Sequence, residues 1–169
     1  PLRKTISGDI YVSTDFMILT QERHNVDVSL RTALKSASGN DYSNARYYDN
    51  AGYFFDAAIG RKFVLNPGRS DLSISASGGF LCWQTDNGRQ NDAVMYGLRL
   101  SYRYRGLSLS TEYGGYSGWE KDGDSPMTLK TNLSSRYGNL IFSIGHQVGL
   151  ADWPFHQFRV GLSYILHKK

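Results

Sequence analysis

The stretch "YGLRLSYRYRG", residues 96–106, allows very few folds. Leu98, Leu100, Tyr102 and Tyr104 fall on one parity, and Arg99, Ser101 and Arg103 fall on the other. A helix face repeats every ~3.6 residues, so strict alternation rules it out. It specifies an extended strand with one apolar and one polar side. What lies against the apolar side decides the class of the molecule.

Nine such segments can be marked, at 8–20, 24–37, 51–64, 70–84, 92–105, 106–116, 126–136, 138–149 and 155–167. Val94 continues the apolar parity of 96–104. Leu107, Leu109, Thr111 and Tyr113 oppose Ser108, Ser110, Glu112 and Gly114. Met127, Leu129, Thr131 and Leu133 oppose Thr128, Lys130, Asn132 and Ser134. Phe158, Val160, Leu162, Tyr164 and Leu166 oppose Arg159, Gly161 and Ser163. Val28, Leu30, Thr32 and Leu34 oppose Ser29, Arg31 and Lys35, and Leu72, Ile74 and Ala76 oppose Ser73, Ser75 and Ser77. No segment keeps a helical period between them. No run approaches the roughly 18 apolar residues of a membrane helix, in keeping with a mean hydropathy of −0.42.

The connections alternate in length. "QERH", "LNPGRS", "RG" and "RYGN" are short, whereas "SGNDYSNARYYDN", "TDNGRQN", "SGWEKDGDS" and "GLADWPF" are long and polar. In an antiparallel up-and-down meander every second connection emerges at the same end. All tight turns then lie at one rim and all long loops at the other, the asymmetry of transmembrane β-barrels. Five apolar positions at every second residue span about 26 Å of strand, or about 20 Å of height at a tilt of about 40°. That approaches the roughly 25 Å apolar band of a membrane barrel. Arg61 is the clearest cation on the apolar parity, and it lies near the turn end. Aromatics end the apolar stripes: Tyr53, Phe80, Tyr113 and Phe158 at the loop end, and Phe63, Tyr104 and Tyr164 at the turn end. Such placement suits an interfacial girdle.

The last segment adds a more specific signal. In "RVGLSYIL", Arg159, Gly161, Tyr164 and Leu166 occupy a polar, Gly, aromatic and apolar spacing. This resembles the C-terminal assembly signal of bacterial outer-membrane β-barrel proteins. The match covers eight residues, and His167, Lys168 and Lys169 follow where the family often stops on an aromatic. The resemblance implies an outer-membrane location. It also implies a lipid bilayer and lipopolysaccharide as surroundings, and the outer-membrane assembly machinery as partner. The expected fold is one all-β domain over 1–169, an antiparallel up-and-down transmembrane barrel of 8–10 strands. Nine segments fit poorly with the even strand numbers of single-chain bacterial barrels. Three readings stay open: segment 8–20 is not a strand, one segment holds two strands, or the chain is the C-terminal part of a larger barrel.

Function is less legible. Inward-parity Arg31, Lys35, Lys62, Arg99, Arg103, Lys130, Arg136 and Arg159 outnumber the inward acids. Asp15, Asp56 and Glu112 are the expected partners for Arg99 and Arg103. Such a lumen is either a packed ion-pair network or part of a pore for anions. The net charge of +4 is spread over the strands and not bunched, which argues against nucleic acid as a partner. Tyr42, Arg46, Tyr47, Tyr48, Trp119 and Trp153 are the loop residues suited to an extracellular ligand or a partner subunit.

Two other functions compete. The first is a lipid-modifying enzyme of the lipid A deacylase kind, with His146 or His156 beside Ser143 or Ser163. The second is a soluble barrel that carries a ligand inside, as lipocalins do. No cofactor and no metal is expected, since four scattered His and one Cys give no ligand spacing. Asp122 and Asp124 read as part of a solvated polar loop, Cys82 as a small apolar filler, and His24 and His167 as solvated. The opening "PLRKTISGD" has no apolar signal-peptide region, which says nothing about export of a processed chain.

Overall fold

Each alternating segment forms one strand of a single antiparallel sheet. The computed structural model describes residues 8–39, 50–84, 90–119 and 124–166. The strands are β1 (Tyr11–Leu19), β2 (Asp27–Lys35), β3 (Gly52–Asn66), β4 (Ser70–Gln84), β5 (Gln90–Tyr104), β6 (Leu107–Gly118), β7 (Met127–Tyr137), β8 (Leu140–Ala151) and β9 (His156–Tyr164). Their order in the sheet is their order in the chain. A single helical turn, α1 (Gln21–His24), closes the β1–β2 connection, with Asn25 in the left-handed region as its C-cap. The β5–β6 turn uses Arg105 at φ 46° and Gly106 at φ 88°. Two consecutive positive φ values are what a two-residue hairpin requires.

Segment 8–20 is therefore a strand, with β1 paired to β2 from Tyr11↔Lys35 to Leu19↔Val28. Each of the other segments also gives one strand, so the described residues hold nine. Strands β1 and β9 are the two edges of the sheet, with no ladder between them. Both are odd-numbered in an alternating meander, so they run in the same direction.

The register carries the face reading across the whole sheet. Ile59, Ala76, Leu98 and Tyr113 share one rung, and Tyr113 continues it to Leu129 and Val148. The next rung on the other face runs through Gly60, Ser75, Arg99, Glu112 and Lys130. The polar face is concave. One hollow of about 560 Å³ is lined by Asp15 on β1, Arg31 on β2, Asp56 on β3, Ser75 on β4, Arg99 on β5 and Lys130 on β7.

The apolar face is convex and bare. Leu98, Leu109 and Leu162 are 58%, 46% and 66% exposed. Among the described residues the buried hydrophobics are only Ala33, Leu81, Cys82 and Ala93. Among the described residues no second layer covers the sheet. The chain presents 12202 Å² of surface, against about 8,400 Å² for a compact water-soluble fold of 19.0 kDa.

Candidate functional site

The concave face is a charged trough built by strand parity. Arg31 places Nη2 2.7 Å and Nε 2.8 Å from Asp56 Oδ2, across the β2–β3 ladder where the two residues are in register. Its guanidinium also lies over the Phe54 ring, 5.4 Å from the centroid. Asp15 stands opposite Arg31 on the other side, in the β1–β2 register. Arg99 Nη1 reaches Glu112 Oε1 at 3.1 Å, again between residues in register. Glu112 is in turn opposite Lys130 on β7.

A second hollow of about 430 Å³ continues the trough toward β9 between Arg99, Lys130, Asn132, Ser143 and Arg159. Arg159 there donates to Gln147 Oε1 at 3.3 Å. The two hollows share Arg99, Glu112 and Lys130. The trough stays hydrated: the side chains of Arg99 and Arg103 are 55% and 53% exposed.

Arg103 pairs with Asp71, not with Asp15, Asp56 or Glu112. Lys62 Nζ lies 3.9 Å from the same carboxylate. Asp71 shares the parity of Ser73, Ser75 and Ser77, so the sequence held the signal that identifies it. Arg136 does not reach into the trough. Its Nε donates to the Gly138 carbonyl at 3.0 Å and braces the β7–β8 turn.

Lys35 also departs from the expected lumen cation. It is buried at the loop end, paired with Asp9 and donating to the Asn50 carbonyl. Its ammonium lies 5.4 Å from the centroid of the Trp83 ring. Burial pushes the Asp9 carboxyl up. Hydrogen bonds from Lys35 and from the Gly39 and Ser38 amides, together with the Lys35 charge, outweigh that and hold it below its usual 3.8. At the same rim, Asn91 Nδ2 donates to Asp124 Oδ1 at 2.6 Å, and both residues are buried. Asp124 is therefore part of the packed loop rim and not of a solvated loop. Asp9 lies outside any strand, so parity gave no signal for it.

Of the loop candidates, Trp119 and Trp153 are exposed at 76% and 50%. Tyr42, Arg46, Tyr47 and Tyr48 lie outside the described residues, as do Asp122 and His167. His24 is exposed and Cys82 is buried, as expected.

The histidines of the hydrolase reading come together with each other. His146 Nε2 and His156 Nδ1 are 3.1 Å apart, and His146 stacks on Phe158 with centroids 4.6 Å apart. His146 is in register with Phe158, on the apolar parity. Ser143 and Ser163 pair with Gly161 and Ile141 on the opposite parity. A serine and a histidine on opposite faces of one sheet form no nucleophile–base pair. Among the described residues no group of three or more His, Cys, Asp or Glu could hold a metal ion. Comparison with protein-family models, with curated proteins and with solved structures finds no match for this chain.

Proposed function

We propose that this sheet is wall of a bacterial outer-membrane β-barrel and that its trough forms part of a water-filled passage for small anions. The observation that carries the reading is the division of faces. Most of the large apolar side chains along the strands lie on the convex side, where none of the described residues covers them. Arg31, Arg99, Lys130 and Arg159 sit on the concave side, in hollows that run across the sheet. Exposed to water, such a convex face would be an extended apolar patch far beyond what soluble monomers carry. Against acyl chains it is satisfied.

A soluble ligand-binding barrel needs the reverse arrangement, with the apolar parity inside. Completion of the barrel is part of the proposal. Because β1 and β9 run the same way, an all-antiparallel closure needs an odd number of further strands between them. Direct β1–β9 pairing would be parallel. Either solution satisfies the two edges that lipid does not tolerate.

Selectivity follows from charge placement. Asp56 and Glu112 compensate Arg31 and Arg99, whereas Lys130 and Arg159 add positive charge to the hollow that Arg99 and Glu112 line. Rings of Lys and Arg favour anions in a pore. The test is the reversal potential of the protein in planar bilayers under a salt gradient. The expected result is a conductance that prefers chloride over potassium, with the preference lost in Lys130→Glu/Arg159→Glu. Absence of conductance in inserted protein, or cation preference, contradicts the passage.

A further inference from the structure

We propose that the turn-end mouth of the trough is a binding site for a phosphate-type oxyanion. The proposal deepens the passage reading, on which it rests for its role but not for its geometry. A separate hollow of about 260 Å³ lies where the β3–β4 and β5–β6 turns come side by side. Lys62, Arg69, Arg103 and Arg105 line it, together with Ser70 and a single carboxylate, Asp71. The Arg105 amide donates to the Arg69 carbonyl at 2.9 Å, which holds the two turns together, and the Arg105 guanidinium lies over the Tyr104 ring, 5.3 Å from its centroid.

The charge balance is lopsided. Asp71 uses one oxygen, Oδ2, for both Arg103 and Lys62. Among the described residues no carboxylate lies within ion-pair distance of Arg69 or Arg105. Arg103 spends Nε and Nη2 on Asp71 and keeps Nη1 for another acceptor. Guanidinium N–H donors that line one hollow match the several oxygens of a phosphate better than the single charge of a halide.

Lys62 and Asp71 are neighbours across the β3–β4 ladder, and Arg103 faces Asp71 across β4–β5. These are trough positions, so the hollow opens to the water side and not to the apolar face. The ligand is accordingly a water-borne phosphate or phosphoester, met at the rim before it enters the trough. A lipid phosphate reaching the same arginines is the competing source.

The test uses the full chain folded in a zwitterionic detergent, with inorganic phosphate as the probe. Calorimetric titration reads affinity, and phenylglyoxal labelling with mass spectrometry reads which arginines the anion shields. The expected result is saturable binding, competed by sulfate and far less by chloride. Phosphate then shields Arg69, Arg103 and Arg105 and leaves Arg159 reactive. Arg69→Gln/Arg105→Asn weakens binding by at least about tenfold, since each guanidinium contributes charged hydrogen bonds. Asparagine is used at 105 because it tolerates the left-handed backbone there.

Asp71→Asn tightens binding by about fivefold, as removal of one nearby negative charge in a solvated site should. A purely structural ion-pair network has no reason to produce that gain. The proposal is overturned if phosphate binds without saturation, if shielding is not confined to these arginines, or if the folded Asp71→Asn protein binds no more tightly. If phosphatidylglycerol in mixed micelles shields the three arginines and free phosphate does not, the ligand is a headgroup and the water-borne form is wrong. Phosphate binding without conductance keeps the site and removes the passage, and conductance without phosphate binding does the reverse.

Discussion

The two rims of the sheet treat the same kind of residue in opposite ways. At the loop end Lys35 and Asp9 form a pair whose side chains are 3% and 2% exposed. At the turn end Arg103 and Lys62 meet Asp71 with their cationic side chains 53% and 45% exposed. Lys35 and Arg103 both sit on the polar parity, so strand geometry alone does not separate them. The connections do. Residues before β1 and after β2 fold over Lys35, while two tight turns leave Arg103 open to water. Parity assigns a charge to a face, and the residues flanking the strand ends decide whether the charge is sealed there.

The largest effect expected from this contrast is at the sealed rim. Lys35→Met leaves the Asp9 carboxylate buried without its cation and should destabilise the fold by about 2–3 kcal/mol. That is below the full cost of breaking a deeply buried pair, because the Ser38 and Gly39 amides still donate to the Asp9 carboxylate. Urea unfolding in detergent micelles measures it. A loss under about 0.5 kcal/mol would mean the rim is wetter than described.

Acid should reveal the same pair. The Asp9 carboxyl is held below 3.8 in the folded protein, so its stabilisation is complete above that value. It is lost as pH falls through the lower folded value. Stability should be flat on this account between about pH 5 and 7 and fall below about pH 4. The acid limb should be shallower in Lys35→Met. An equal acid slope in both proteins would assign the fall to other carboxylates.

The smallest effect belongs to the open rim. Arg103→Met removes an exposed partner of Asp71 and should cost less than about 1 kcal/mol by the same unfolding assay. A loss as large as that of Lys35→Met would erase the distinction between the rims.

Much of the sheet was legible in the sequence, because alternation fixes strand, face and register together. Segment 138–149 became β8 (Leu140–Ala151), and Arg99 found Glu112 because two inward residues met in register. The alternation of short and long connections gave the two rims. What alternation does not encode is how a connection folds back. Lys35 read as a lumen cation and Asp124 as a solvated acid, and both are buried under the loop rim. Asp71 shares the parity of Ser73 and Ser75, and that parity is the signal in the sequence for its pairing with Arg103. The spacing of His146 and His156 in the chain does not show that they meet, which needs the β8–β9 register.

The central claim is that the bare convex face meets acyl chains while the trough meets water. Nitroxide labels placed singly from 94 to 104 along β5, in a Cys82→Ser background in liposomes, test it directly. Collision with molecular oxygen reports lipid, and collision with a water-soluble nickel chelate reports solvent. The account predicts oxygen maxima at Val94, Leu98, Leu100 and Tyr102, and nickel maxima at Met95, Arg99, Ser101 and Arg103, alternating residue by residue. Low collision with both reagents along the Leu98 parity, the mark of a dry protein interior, would contradict it.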